Sequence, residues 1–367
     1  MAFNRLKVSQ KVQETADSCS FLFVVPESLK EQYNYKAGQY LTIKLDVKGE
    51  EARRAYSIFT PPHNDQFGFT VKRVGGGLVS NHLIDSIDVG AEIEVMVPEG
   101  KFVVEPKHQE KRDHYFFAGG SGITPVMSMV EAVLEEEPMS TCYLLYASRN
   151  EDAIIFKKKL DDLVLRYEDQ LYVNHILSQP HQQKASGLKG LFGKKAQPMW
   201  RGLKGRVNAD LLLRYMQDHP SKTGKDVYYL CGPSGMIETV ERALLNQGAE
   251  KVQIKREYFT AADEVATATT SETSATSCAA TVTLNGETFS LDISPTKTVL
   301  DAIIDLGKDP PYSCTSGACS TCVAKVTEGK VEMDSCFALD DEEVEDGYVL
   351  TCQARCHSAK LVLDYDA

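Results

Sequence analysis

The chain has 367 residues, 43% of them hydrophobic and 25% charged, with a net charge of -12. That length exceeds what a single hydrophobic core serves, so two or three domains are expected, with the composition of an ordinary soluble protein. No run of about 18 apolar residues occurs and no apolar segment follows a basic start, which argues against a membrane span or a secretory signal and points to the cytoplasm.

The acid excess is uneven. Residues 281–367 hold 6 Lys and Arg against 16 Asp and Glu, and so carry -10 of the total. Such a module argues against nucleic acid as a partner and suits docking on a basic protein surface. Seven of the 10 cysteines stand at or beyond Cys278. In a chain without a secretory signal, metal ligands or buried thiols are expected there ahead of disulfides.

Residues 1–106 read as short antiparallel strands at Leu6–Val12, Cys19–Val25, Tyr40–Leu45, Arg54–Phe59, Phe67–Val74 and Glu92–Val97, which predicts a small barrel. Within it, strand alternation in Arg54-Ala55-Tyr56-Ser57 puts Arg54 and Tyr56 on one face and Ser57 on the other. A cation, an apolar ring and a small polar group are what a flavin requires of one strand; an exposed Arg beside a packed Tyr is the plainer alternative. The run Lys72-Arg73-Val74-Gly75-Gly76-Gly77-Leu78-Val79-Ser80 ends a strand and opens a short helix. Its bare backbone, with Ser80 as cap, would present amides to a pyrophosphate, or would simply form a hairpin turn.

From residue 107 to 259 the rhythm becomes strand then helix. Tyr115–Ala118 leads into a helix at Val126–Leu134, Cys142–Ala147 into one at Ile154–Tyr167, and Val227–Leu230 into one at Met236–Asn246. This predicts a doubly wound parallel sheet that binds ligands at the carboxyl ends of its strands. Gly119-Gly120-Ser121-Gly122-Ile123-Thr124-Pro125 and Cys231-Gly232-Pro233-Ser234-Gly235-Met236 both occupy strand-to-helix loops, where a helix N-terminus meets a phosphate-bearing nucleotide. Arg149, at a strand end, is placed to hold an adenosine 2'-phosphate, which favours NADPH, although a surface role serves it equally. Cys231 has no activating base nearby in sequence, so a small wall beside a nicotinamide suits it better than a nucleophile.

Residues 179–206 look like an inserted surface loop whose 7 Lys and Arg could hold the acidic module. The stretch 260–280 is dominated by Thr, Ala, Ser and Glu, cannot bury a core, and reads as a flexible linker. Beyond it, in residues 281–367, Cys314, Cys319, Cys322 and Cys352 stand at the spacing C-x4-C-x2-C-x29-C, which suits a plant-type 2Fe-2S centre. Zinc is the competitor, but its ligand pairs usually come as C-x2-4-C, and the step from Cys314 to Cys319 is wrong for that. Gly317 fits a loop whose amides must close on sulfur. Cys278, Cys336 and Cys356 lie outside the pattern and read as spare thiols.

The segment Pro311–Cys322, with Leu350-Thr351-Cys352-Gln353, resembles plant-type ferredoxins, although Thr315 stands where many relatives have Arg. The order R-x-Y-S, G-G-x-x-S, G-G-x-G-x-T-P, C-G-P and Glu257-Tyr258-Phe259 resembles the ferredoxin-NADP reductase superfamily. Together they resemble the reductase components of phenylacetyl-CoA epoxidases and related oxygenases or desaturases. The resemblance implies an antiparallel β-barrel FAD domain, a doubly wound α/β NAD(P) domain and an α+β, β-grasp ferredoxin domain. It implies FAD contacts at Arg54, Ala55, Tyr56, Ser57, Lys72, Val74, Gly77, Leu78, Val79, Ser80 and Thr124. It further implies nucleotide contacts at Gly122, Arg149, Cys231, Gly232, Pro233 and Met236, Phe259 near the flavin, and catalytic parts for Tyr56, Ser57 and Cys231. The expected activity carries electrons from NAD(P)H through FAD and the 2Fe-2S cluster to an oxygenase or desaturase. A reductase of small acceptors or oxygen, and a non-catalytic iron-sulfur sensor, are the rival readings.

Overall fold

The computed structural model describes residues 3–64, 66–182, 199–259 and 277–367. The first strands are β1 (Phe3–Thr15), β2 (Ser18–Val24), β3 (Tyr40–Val47), β4 (Glu50–Ser57), β5 (Phe67–Lys72) and β6 (Glu92–Met96), with α1 (Leu78–Ser86) between the last two. Alternation decides their faces: on β1, Leu6 and Val8 are fully buried while Arg5 and Lys7 face out. The strands run antiparallel in the order β4-β3-β6-β1-β2-β5, and a bridge from Ile58 to Phe69 joins the two outer strands. That bridge closes the sheet into a barrel.

The second module comprises β7 (Asp113–Gly119), α2 (Ile123–Glu136), β8 (Thr141–Ser148), α3 (Lys157–Arg166), β9 (Leu171–Leu177), β10 (Leu203–Lys204), α4 (Ala209–Asp218), β11 (Asp226–Gly232), α5 (Ser234–Asn246) and β12 (Ile254–Tyr258). All its strands are parallel, in the order β10-β9-β8-β7-β11-β12. Helices α2 and α3 cover one face and α4 and α5 the other. The chain reverses its direction of travel across the sheet between β7 and β11, and a crevice opens at such a switch point.

Two expectations need correction. The helix predicted from Ile154 starts only at Lys157, because Phe156 takes a left-handed φ of 59°. This kink turns Ile154, Ile155 and Phe156 into the core, where Phe156 stacks on Phe59 of the barrel at 5.0 Å. Ser80 does not cap α1: Gly77 holds that position, and the Ser80 hydroxyl instead accepts the Val74 N–H at 3.1 Å. Residues 183–198 of the basic insert lie outside the described residues, and its far end forms β10 beside β9.

The first two modules share one core, in which Leu22, Phe59, Phe102 and Val104 meet Phe116, Val126 and Met129. The connection between them is tied down by Glu137. Its fully buried carboxylate accepts from Arg112 Nε at 2.8 Å and Nη2 at 2.5 Å, from Ser140 Oγ at 2.5 Å and from the Lys107 N–H at 3.2 Å.

The third module is built from β13 (Cys278–Leu284), β14 (Glu287–Ile293), α6 (Val299–Asp305), β15 (Val323–Glu328), β16 (Val331–Met333), α7 (Asp341–Glu345), β17 (Tyr348–Leu350), β18 (Ala354–Cys356) and β19 (Lys360–Asp364). Its main sheet runs β14-β13-β19-β15-β17, with α6 packed in its core. The first strand starts at Cys278, inside the stretch read as linker, of which residues 260–276 lie outside the described residues. Cys278 and Cys356 are joined as a disulfide, Cα to Cα 6.3 Å, so they are a pair and not two spare thiols. The sequence hid this because 78 positions separate them.

Desolvation would raise the Glu137 carboxyl, but hydrogen bonds from Arg112, His114 and Ser140 outweigh it and hold the group far below its ordinary value of 4.5. Its contribution to stability is present above 4.5 and is lost as pH falls from there toward the depressed value. Glu137→Ala, which strands Arg112, is expected to lower stability by ~3 kcal/mol at neutral pH and to remove part of the acid sensitivity, read by urea unfolding at pH 7 and pH 4.

Candidate functional site

The crevice at the carboxyl ends of β7 and β11 is lined by backbone at very close approach. A Cβ on Gly122 would stand 2.2 Å from the Cys231 carbonyl oxygen, and one on Gly119 would stand 2.7 Å from the Pro233 ring and 3.0 Å from the Met236 sulfur. Gly232 lies 2.9 Å from Gly119 by the same measure. Here the two glycine loops, more than 100 positions apart in sequence, become one surface. The glycines let the two loops pack directly on one another, since any side chain at these positions would collide with the facing loop. The Thr124 hydroxyl donates to the Ser121 carbonyl at 3.0 Å and fixes the start of α2. Arg149 is exposed at the end of β8.

Facing this crevice from the barrel is the end of β4. Arg54 is exposed and donates to the Arg53 carbonyl at 2.7 Å, with no carboxylate partner among the described residues. Tyr56 stacks on Phe69 at 5.1 Å and Ser57 is buried, as alternation requires. Ala55 is half-buried between them. Along the glycine run Val79 and Ser80 are buried and Leu78 is exposed, while Gly76 takes a φ of 70° that favours glycine. Lys72 lies 3.7 Å from Asp17, so its charge is shared. Arg54, without a carboxylate partner among the described residues, and the exposed glycines Gly75 and Gly76 supply donors that fit a flavin pyrophosphate, whereas the Gly77 N–H is taken by the Val74 carbonyl at 3.0 Å.

Pairing of β11 with β12 sets Cys231 opposite Glu257. The Ser57 hydroxyl donates to Glu257 Oε2 at 3.4 Å, which adds a polar contact at the crevice to the core that barrel and sheet share. Desolvation pushes the Glu257 carboxyl up to about 8 and the buried Cys231 thiol well above its ordinary value. Cys231 is therefore a neutral wall. Glu257 was legible only as part of a motif; its place beside Ser57 depends on a strand pairing that no local pattern announces. Phe259 packs against the core shared by the first two modules.

In the third module the four motif cysteines form two pairs. Cys314 interacts most strongly with Cys319, and Cys322 with Cys352. The Cys314 sulfur accepts the Ser316 N–H at 3.4 Å and the Cys319 N–H at 3.3 Å, and its thiol is pulled down chiefly by Cys319 and these amides. Gln353 reaches the Cys352 sulfur at 3.6 Å. Gly317, at φ 74°, leaves no room for a side chain, since a Cβ would come 2.8 Å from the Ser335 carbonyl. No three such ligands among the described residues converge as a single ion would need. Two pairs, each with amide donors, fit two bridged irons. Cys336 is half-buried beside the loop.

Three family models match the chain: an oxidoreductase FAD-binding domain over residues 5–104, an oxidoreductase NAD-binding domain over 116–242 and a 2Fe-2S iron-sulfur cluster binding domain over 282–357. The ferredoxin reductase component of 3-ketosteroid-9-alpha-monooxygenase from Rhodococcus rhodochrous is 34% identical over 98% of this chain and 96% of its own length. A polypeptide of the 1,2-phenylacetyl-CoA epoxidase from Escherichia coli K12 is 32% identical over 100% of this chain and 98% of its own. The solved structure of phthalate dioxygenase reductase superposes with a TM-score of 0.56 over 99% of this chain and 98% of that one; at 23% identity it shows the shared fold.

Gly122→Ala drives a methyl group into the Cys231 carbonyl. The loop must shift, and the substitution is expected to cost ~1–3 kcal/mol, seen as a lower Tm of the second module.

Proposed function

Because the chain belongs to the family of oxygenase reductase components, which join an FAD-binding, an NAD-binding and a 2Fe-2S domain, we propose that it delivers electrons from NAD(P)H to an oxygenase partner. The observation that carries this reading is the convergence of Ser57, Gly122, Cys231 and Glu257 in one crevice, with a paired-cysteine module on the same chain. FAD converts a hydride into single electrons, which a 2Fe-2S cluster carries one at a time.

The residues of the chain place and protect. Arg54 and the amides of Gly75 and Gly76 hold the flavin phosphates, Tyr56 offers its ring, and Val79, Ser80 and Thr124 fix the backbone around them. Gly122, Gly232, Pro233 and Met236 form the floor on which the nicotinamide lies, and Cys231 keeps water away from it. Arg149 is assigned to the nucleotide's adenosine end, which favours NADPH. Ser57 and Glu257 hold a proton between Oγ and Oε2, available while the carboxyl is neutral. Cys314, Cys319, Cys322 and Cys352 bind the cluster. No helix among the described residues is long and apolar enough to cross a membrane. The location proposed is the cytoplasm.

Protein purified without air is expected to contain one FAD and two irons per chain. Cys352→Ala is expected to lose the iron and keep the flavin, whereas Cys336→Ala keeps both; zinc in place of iron, or equal loss in both variants, contradicts the assignment.

The Glu257 carboxyl is neutral below about 8. Flavin reduction by NADPH, followed by stopped flow, is expected to be fast below that pH and to fall above it. Glu257→Gln should flatten the profile, and an unchanged profile contradicts the proton-holding role.

A further inference from the structure

Hydrogen bonds and stacking join the third module to the barrel at two points on the β3–β4 ladder. Tyr40 opens β3, is 5% exposed, and its phenol oxygen lies 2.8 Å from Thr321 Oγ1. Thr321 stands between the sulfur-bearing residues Cys319 and Cys322. Behind the Tyr40 ring is Gly100, at φ 115°, where a Cβ would meet the ring at 2.9 Å. The ring is thus wedged between a glycine and the cysteine loop. Tyr40 also pairs directly with Ser57 across the ladder.

The second point is Arg53, neighbour of Arg54 but pointing the other way. Its side chain is 7% exposed, donates to Asp309 Oδ1 at 2.8 Å and Glu51 Oε1 at 2.9 Å, and lies over the Tyr312 ring at 4.3 Å. Tyr312 stands two residues before Cys314. A planar guanidinium that both stacks and donates in a fork fixes orientation as well as distance.

Building on the relay proposed above, we infer that Tyr40 and Arg53 are positioning residues that seat the cysteine loop of the third module against the flavin barrel. Tyr40 acts through Thr321, and Arg53 through Tyr312 and Asp309. Tyr40 meets Ser57 only through the backbone ladder, and the side-chain bonds of Tyr40 and Arg53 go to Thr321, Glu51 and Asp309 and not to Ser57, Cys231 or Glu257, so substitutions that keep the backbone leave reduction of the flavin unchanged. Passage of electrons onward depends on both side chains, because small misplacements of reacting partners cost rate steeply.

The test uses the full, cofactor-loaded chain. Tyr40→Phe, Thr321→Val, Thr321→Ser and Arg53→Gln are each checked for parental iron and FAD content. Stopped flow after mixing with NADPH separates bleaching of the flavin from bleaching of the cluster. Independently of turnover, carbodiimide coupling of Lys101 to Glu343, which form an ion pair across the same boundary, reports the seated fraction by mass spectrometry.

Tyr40→Phe and Thr321→Val are expected to slow cluster reduction about fivefold, as loss of one buried hydrogen bond shifts an equilibrium by about that factor. They should also lower the Lys101–Glu343 coupling and leave flavin reduction at the parental rate. The double variant should be no worse than Thr321→Val alone, which already removes the bond to Tyr40 together with the one Thr321 gives Glu99, and Thr321→Ser should retain the parental behaviour. Arg53→Gln should lower both readouts further. Parental cluster reduction and coupling in Tyr40→Phe and Arg53→Gln would overturn the positioning role. Failure of the parental cluster to bleach at all would instead overturn the relay on which it rests, and the positioning role with it.

Discussion

The register of β3 against β4 is the constraint on which the rest depends. A two-residue turn at Lys48 and Gly49, both with positive φ, joins Val47 to Glu50 and locks the pairing. From it follow the pairing of Tyr40 with Ser57 and the opposite outlooks of Arg53 and Arg54. A slip of one residue would exchange the faces of all four. One short hairpin thus serves both boundaries of the barrel: Ser57 meets Glu257 on the nucleotide side, and Tyr40 and Arg53 meet the cysteine loop on the other.

Burial alone does not decide protonation in this chain; the donors do. Glu137 is buried and charged because Arg112 and Ser140 donate to it. Glu257, offered one long hydrogen bond from Ser57, is pushed the other way. The same desolvation has a structural use in one case and a chemical one in the other.

The boundary of the third module has a core and a rim. At its core is the buried Tyr40–Thr321 bond, and the Tyr258–Phe337 ring contact at 5.0 Å lies toward the solvent edge. Around them Lys101 pairs with Glu343, and Lys251 with Asp341 at 3.5 Å. Exposed pairs of this kind add little energy each, but they orient an acidic module on the reductase body. Among the described residues these cations come from the first two modules; four of the seven cations of the basic insert, Lys184, Lys189, Lys194 and Lys195, lie outside the described residues. The acidic surface that suits an external basic partner is thus already engaged internally at Asp309, Asp341 and Glu343.

The sequence by itself determined the features that rest on local patterns. The six barrel strands followed from alternation, the parallel sheet from repeated strand-helix units, and the cysteine motif from its spacing. The glycine loops were legible because only bare backbone suits those turns. Tertiary structure decided whatever required distant segments to meet. It set Glu257 beside Ser57, joined Cys278 to Cys356, divided the four cysteines into two pairs, and turned Arg53 and Tyr40 toward the third module. It also started α3 three residues late, because packing of Phe156 against Phe59 outweighs local helix propensity. The physical reason is common to all of these: periodicity reports which face a residue takes, whereas a partner's identity is fixed only when register and packing bring two faces together.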